Sequence, residues 1–254
     1  VDEAFERQHV QPLVQRVRAI LGQRLGRLAS HPDLTPEALS RGLAGGESAL
    51  ANFVTDAIAA RARAAGYAVD LAMVDVSCAA AGLAGAGGLS YGDWFAVMPY
   101  ADTIHLYRVT GGQLLELLHD NARRADRPGE PHAERGFLQF SRELRYTITL
   151  GAERALARAA GVTLNGRPLS ELPGWPETPL VIASNNMVRG LAPVVAWERQ
   201  AGQELGRPPF DLHTLPHSDS GLGLRDELVT YIREHGGITP EAGLRRDGRV
   251  RFER

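Results

Sequence analysis

Lysine is absent from this chain: all 28 basic residues are arginine, and they stand against 30 acidic ones for a net charge of −2. No basic surface is expected, which argues against a nucleic-acid or anionic-membrane partner. Arginine alone, beside abundant alanine and glycine, reports a GC-rich and so a bacterial genome more than a function. A single cysteine, Cys78, excludes an internal disulfide. No stretch approaches the roughly 18 consecutive apolar residues of a membrane span. The opening Val1-Asp2-Glu3 is acidic and lacks the basic segment and apolar core of a signal peptide. A soluble protein is expected, and both the cytoplasm and export after signal removal stay open.

What is present suits one sizeable core, since 254 residues bury roughly 70–75% of the unfolded surface. Val10, Leu13, Val14, Val17, Ile20, Leu21, Leu25 and Leu28 recur at helical spacing, which predicts a long amphipathic helix over Phe5 to Ala29, with Pro12 near its start. The expected division is a helical extension over residues 1–30 and a domain over 31–254.

The most informative stretch runs from Val69 to Tyr100. Val69 to Val76 has strand length and carries only Asp70 and Asp75 as charges. Ser77 to Gly88 is almost all alanine and glycine, which lets backbone approach a ligand closely. Ser90 and Asp93 form a capping-box-like helix start, and Pro99 stops that helix. Further along, Glu47 to Gly66 predicts a helix with Asp56 as a buried acceptor. Ile104 to Val109 predicts a strand, and Thr110 with Gln113 caps the next helix. Asn121 to Arg135 reads as a charged loop, Phe137 to Leu150 as a hairpin pair, and Asn165-Gly166 as a tight turn. Leu180 to Ala183 reads as a buried strand followed by a helix toward Gln203, Gly221 to His235 as a final helix and Arg249 to Phe252 as a closing strand.

Several of these segments match a family pattern in order. Glu47-Ser48-Ala49-Leu50-Ala51-Asn52-Phe53-Val54-Thr55-Asp56-Ala57 resembles Glu-Ser-x-Leu-Gly-Asn-Leu-x-x-Asp-Ala of the C-terminal domain of the 5'-nucleotidase family, which also includes UDP-sugar hydrolases and 2',3'-cyclic-nucleotide phosphodiesterases. Gly88-Leu89-Ser90-Tyr91 stands for the family's Gly-x-Ile-Thr-Tyr, and Val97-Met98-Pro99-Tyr100 for Val-Leu-Pro-Phe. Val109 to Leu114 is similar to Leu-Thr-Gly-x-x-Leu, Phe137 to Ser141 to Phe-x-Gln-x-Ser, and Leu164 to Leu169 to Val-Asn-Gly-Lys-Pro-Leu. The resemblance implies an α+β fold, a layered mixed β core flanked by helices, with a long N-terminal helix that in the family joins a metallophosphatase domain. The family's Gly-Asn-His-Glu metal motif does not occur here, so neither metal nor cofactor is assigned.

In the family, an Asn-x-Gly-Gly-x-Arg loop holds the substrate near its phosphate, and two aromatic residues sandwich the base. The resemblance carries that loop onto Asp75, Val76, Ser77, Cys78, Ala79 and Ala80: a carboxylate replaces the amide and alanine the arginine. Such a carboxylate repels phosphate, whereas the arginine would bind it bidentately. Tyr100 keeps one aromatic platform. In the second motif Asn185 or Asn186 stands for the asparagine, Met187 for the stacking Phe, and Leu191 to Val194 for Gly-Gly-Asp-Gly. The candidate ligand-binding residues are thus Asp75, Ser77, Cys78, Tyr100, Asn185, Asn186 and Met187. Cys78 is a small buried hydrophobe on one reading; on the other it is a nucleophile on a strand-to-loop turn, oriented by Asp75. His213 and His217 have the spacing of part of a metal site, but Pro216 breaks the helix and no third ligand is evident. His105 and His119 read as structural histidines, Trp94, Phe95 and Trp197 as packing residues, and the Arg123 to Arg127 tract as solvated loop.

Three functions follow from these residues. The first is a 5'-nucleotidase-like C-terminal domain that binds a nucleotide-like or other small-molecule substrate and does not hydrolyse phosphate esters by itself. The second is a repurposed enzyme acting on a non-phosphorylated substrate through Asp75, Ser77 and Cys78. The third is a partner-binding module, with the N-terminal helix docked on a metallophosphatase domain or another protein.

Overall fold

The computed structural model describes residues 2–35, 38, 46–75, 79–83, 85–131, 133–185 and 192–253, with the backbone alone at 192–194 and 213. Its centre is a five-stranded sheet in the order β10 (His217–Gly223), β4 (Thr103–Thr110), β9 (Pro179–Asn185), β2 (Leu71–Asp75) and β5 (Leu138–Phe140). Only the β2/β9 pair in this sheet is parallel, with Leu71 opposite Ile182 and Ala72 opposite Ala183. Side chains alternate faces along a strand, so each central strand feeds two cores. Ala72, Val74, Ile104, Leu106 and Ala183 join one, and Leu71, Met73, Tyr107, Val109 and Ile182 the other. A strand covered on both faces has no polar side, which explains why β2 carries charge only at its end, where Asp75 lies.

The first core is closed by helix α2 (Ala49–Ala64), the short α3 (Tyr91–Val97), α6 (Leu224–Glu234) and a three-stranded sheet of β11 (Gly237–Ile238), β1 (Arg24–Leu28) and β3 (Gly87–Ser90). The second is closed by α4 (Gly111–Arg124) and a sheet of β12 (Val250–Glu253), β6 (Leu144–Thr149), β7 (Arg158–Leu164) and β8 (Arg167–Pro168). Helix α5 (Ala192–Leu205) lies between β9 and β10 in the chain. The α+β class, the layered mixed β core and the N-terminal helix are as expected. Among the described residues no helix is long and apolar enough to cross a membrane.

Local signals hold well. Ser90 and Asp93 exchange side-chain and backbone bonds of 3.2 and 2.8 Å at the start of α3, and Thr110 and Gln113 do the same at α4. Asn165, at φ 51°, and Gly166, at φ 79°, make the left-handed turn between β7 and β8. Asp56 is buried, as read from its helix face.

Four expectations are corrected. The first helix, α1, runs through Glu3–Phe5, Glu6–Val10 and Gln11–Leu21 and stops there instead of reaching Ala29. The Glu6–Val10 segment is a π turn just ahead of Pro12, where the missing proline N–H cannot bond. Leu25 and Leu28, read as helix, lie in β1 and are buried. Here β1 crosses Gly237 so closely that a Cβ on that glycine would stand 1.9 Å from the Arg27 carbonyl oxygen. Second, β5 and β6 are not a hairpin: β5 pairs with β2 and β6 with β7 and β12. Ser141 fixes the divergence, because its hydroxyl accepts the Ala72 N–H at 2.7 Å while the chain turns away. Third, the region read as a charged loop begins inside α4, where Asn121 and Arg124 are buried. Fourth, Phe95 is exposed on α3 with the Arg225 guanidinium 4.9 Å from its ring centre; it is not a packing residue.

Candidate ligand-binding site

Parallel strands place their carboxyl ends side by side, and this is where open sheets form crevices. Asp75 ends β2 and Asn185 ends β9. Asp75 is only 3% exposed and already engages another group. Asn185 is fully buried and donates from Nδ2 to Asp102 Oδ2 at 3.3 Å. It therefore pins the segment before β4 to the end of β9, a role that its motif does not disclose.

The loop after β2 returns to α3, where the Ala80 N–H donates to the Val97 carbonyl at 2.7 Å. Ala80 is exposed, so no packing reason forbids a larger residue there. The chain then turns at Pro99, and Tyr100 is 51% exposed. Of the other sequence-derived candidates, Ser77, Cys78, Asn186 and Met187 lie outside the described residues.

One functional candidate was not foreseen. Arg225, at the start of α6, donates from Nη1 to the Pro99 carbonyl at 3.1 Å and brings a cation to the Tyr100 corner. Its neighbour Leu224 donates its N–H to the Asp102 carbonyl at 2.9 Å, which closes the link back to Asn185. Nε of Arg225 is buried and makes no hydrogen bond among the described residues. Since 126 residues separate the partners, local pattern gave no sign of the contact.

The N-terminus of α2 reaches the same end of β2, because α2 and β2 run antiparallel in a helix-strand hairpin. The Glu-Ser-x-Leu-x-Asn motif is here a clamp on the fold. Glu47 accepts from Asn52 Nδ2 at 2.7 Å and from the Asp247 N–H at 2.7 Å, while Asn52 also donates to the Arg245 carbonyl at 2.9 Å. Gln139, opposite Val74, donates to the Gly46 carbonyl at 2.6 Å and accepts the Ser48 N–H at 3.4 Å. Beneath it Asp33 accepts the Ala49 N–H at 2.6 Å and the Arg246 Nε at 2.8 Å. Burial raises the Asp33 pKa, but the bonds from Arg246 and Ala49 outweigh it and hold the carboxyl below its ordinary value of 3.8.

A depressed folded-state pKa gives stability that is present above the unfolded value and lost as pH falls through the folded one. Asp33→Asn is accordingly expected to cost about 1–2 kcal/mol at neutral pH. Urea midpoints for the two proteins stay apart down to the ordinary carboxylate range and converge below it; a gap that persists undiminished well below that range would contradict the assignment.

The histidines take structural places. His119 Nδ1 accepts the Ala159 N–H at 3.1 Å, and burial followed by Arg123 lowers its pKa. His105 lies 3.7 Å from Asp219 and stacks on His217 with ring centres 5.7 Å apart. The His213 side chain lies outside the described residues. Among the described residues no group of three or more His, Cys, Asp or Glu could hold a metal ion.

The fold has known relatives. A search of curated proteins finds no match. Among solved structures, a 5'-nucleotidase precursor of Thermus thermophilus aligns over 98% of this chain and 43% of its own, with a TM-score of 0.65 and 19% identity. The NAD nucleotidase of Haemophilus influenzae aligns over 99% and 41%, with a TM-score of 0.65 and 13% identity. A putative 5'-nucleotidase of Staphylococcus aureus, solved with alpha-ketoglutarate, aligns over 100% and 44%, with a TM-score of 0.61 and 15% identity. At these identities the likeness establishes the fold, and the chain spans less than half the length of each. The family pattern described as 5'-nucleotidase, C-terminal domain, matches residues 27–171, more than half of the chain, and the protein belongs to that family.

Proposed function

We propose that this chain is the ligand-binding half of a 5'-nucleotidase-like hydrolase and that its crevice takes a nucleoside-like or other weakly charged small molecule. The observations that carry this reading are Asp75, buried at the end of β2, and Tyr100, half exposed just after the Pro99 turn that follows α3. The ring offers a stacking face to a base, while the Asp75 charge and the alanine at position 80 disfavour a phosphate on that loop. Asn185 ends the neighbouring strand β9, and the family pattern assigns Ser77, Cys78, Asn186 and Met187, which lie outside the described residues, to the same site. Phosphate-ester chemistry is assigned to the metallophosphatase domain that the family resemblance implies, not to this chain.

The test is a thermal-shift panel of nucleosides, nucleotides, nucleotide sugars and uncharged metabolites, each with and without divalent metal. A ligand at about 100 times its Kd stabilises by about 2.7 kcal/mol, a shift of a few degrees for a chain of this size. Nucleosides are expected to shift the midpoint, and Tyr100→Ala to abolish that shift while leaving the ligand-free midpoint in place. No shift with any nucleoside would overturn the reading.

The apolar side of α1 supports a docking role. Phe5, Val10, Leu13, Val14, Val17 and Ile20 are all exposed, a continuous stripe with nothing of this chain over it among the described residues. A metallophosphatase domain is the occupant that we assign to this stripe. Because the stripe adds nothing to the core, Leu13→Glu with Val17→Glu is expected to leave the thermal midpoint within about 1 °C while abolishing association with such a domain in sedimentation. A large drop in the midpoint would show that the stripe packs within the chain instead.

A further inference from the structure

A second pocket, of about 320 Å³, lies between α4, β7, β8 and the turn that leads into β9. That volume is at the lower end of the range for small-molecule sites. It stands apart from the crevice of the preceding section. Trp175, on its wall, precedes β9, whereas Asn185 closes that strand, and β9 spans about 20 Å.

Three local features shape the pocket. The first is an extra residue in β7: Arg145 pairs with Thr163 but Thr147 with Ala160, and Gly161 between them takes φ 57°. This is a bulge with glycine in the left-handed region, and such a bulge bends the strand that carries it. Ala159, Ala160 and Gly161 make a low wall, and a Cβ on Gly161 would meet nothing within 4 Å. The second is the support behind Trp175. Gly111 and Gly112, at the start of α4, donate their N–H groups to the Thr178 and Pro176 carbonyls, both at 2.9 Å. The indole rests on Gly111, where a Cβ would stand 3.0 Å from Cε3 and Cζ3. A half-buried aromatic face on the pocket wall is thus held in place before any ligand arrives.

The third is His119. Its Nδ1 accepts the Ala159 N–H at 3.1 Å, so the proton of the neutral ring sits on Nε2. Burial, followed by Arg123, lowers its pKa, and the ring is neutral at pH 7. Nε2 makes no hydrogen bond among the described residues and is open to solvent, so it offers a donor to whatever fills the pocket. Leu115 and Leu169 add apolar walls, and Thr163 and Ser170 add hydroxyls. No described residue in the lining carries a charge. An ion would lose its hydration there without a counter-charge, whereas a neutral carbonyl exchanges water for the His119 N–H.

We propose that this pocket binds an uncharged aromatic carbonyl compound of the amide class, with its ring on Trp175 and its carbonyl oxygen on His119 Nε2. The Ser170 and Thr163 hydroxyls are the acceptors for the amide N–H groups. This site goes beyond the nucleoside reading and does not depend on it.

The test follows the indole N–H of Trp175 by NMR, with Trp94 and Trp197 as internal references. Three probes share the ring: benzamide, toluene, which lacks the acceptor, and benzoate, which is charged. Benzamide is expected to move the Trp175 signal and to bind about threefold to tenfold more tightly than toluene, the worth of one neutral hydrogen bond. Benzoate is expected to bind more weakly than benzamide. His119→Asn keeps an acceptor for the Ala159 N–H but loses Nε2, so affinity for benzamide falls to that for toluene while toluene binds as before. Should that variant fail to fold, the three-probe comparison on the unaltered chain decides alone. Equal binding of benzamide and toluene, binding of benzoate as tight as that of benzamide, no shift at about 10 mM, or shifts confined to the Tyr100 ring would overturn the proposal.

Discussion

Replacing Asp75 by Asn and Ala80 by Arg together is expected to raise the affinity for a nucleoside 5'-monophosphate about a hundredfold, with little change for the parent nucleoside. Two effects of the same sign combine. Asparagine removes a buried charge that opposes the phosphate, and arginine adds a planar donor pair that fits it. Since Ala80 is exposed and its backbone N–H is already tied to Val97, the larger side chain enters without displacing packed atoms. Calorimetry on the double variant and on each single one measures the gain. An unchanged ratio of monophosphate to nucleoside affinity in all three would mean that the loop after β2 does not face the ligand.

The largest effect on stability is expected at Arg249. Its guanidinium is 2% exposed, and it donates to Asp56, Asp247 and the Phe140 carbonyl, at 2.9 Å from Nη1 to Asp56 Oδ1. Burial lowers its pKa, but the bonds to Asp247 and Asp56 outweigh that and raise it overall. Arg249→Met is expected to cost about 3–5 kcal/mol, because Asp56 stays buried with only the exposed Arg142 to balance it. Asp56→Asn on top of Arg249→Met recovers part of the loss by removing the stranded charge. Denaturant midpoints decide: a single-variant loss below about 1 kcal/mol would mean that solvent reaches Asp56.

These two sites show how far sequence reaches. The capping boxes at Ser90 and Thr110 and the turn at Asn165-Gly166 were legible because every atom involved lies within four residues. Helix α2 and strand β2 were legible because period and charge placement agree. Strand β1 was misread because Leu25 and Leu28, three apart, suit a helix, while the partners that make it a strand, Gly237 and Ile238, are some 210 residues away. Asp56 could be read as buried but not as paired, since Arg249 lies 193 residues further on. The family motif marked Asp75, Tyr100 and Asn185 as one group; the structure sets Asp75 and Asn185 at neighbouring strand ends and turns Asn185 to Asp102. Arg225 carried no motif, and only the fold brings it to Pro99.

The most direct measurement is calorimetric titration of the unaltered chain with adenosine and AMP, and with uridine and UMP. A nucleoside that binds at least about tenfold more tightly than its monophosphate is the result predicted by a tyrosine platform beside a buried carboxylate. Tighter binding of the monophosphate would contradict that account and would mean that another cation, with Arg225 the first to mutate, receives the phosphate.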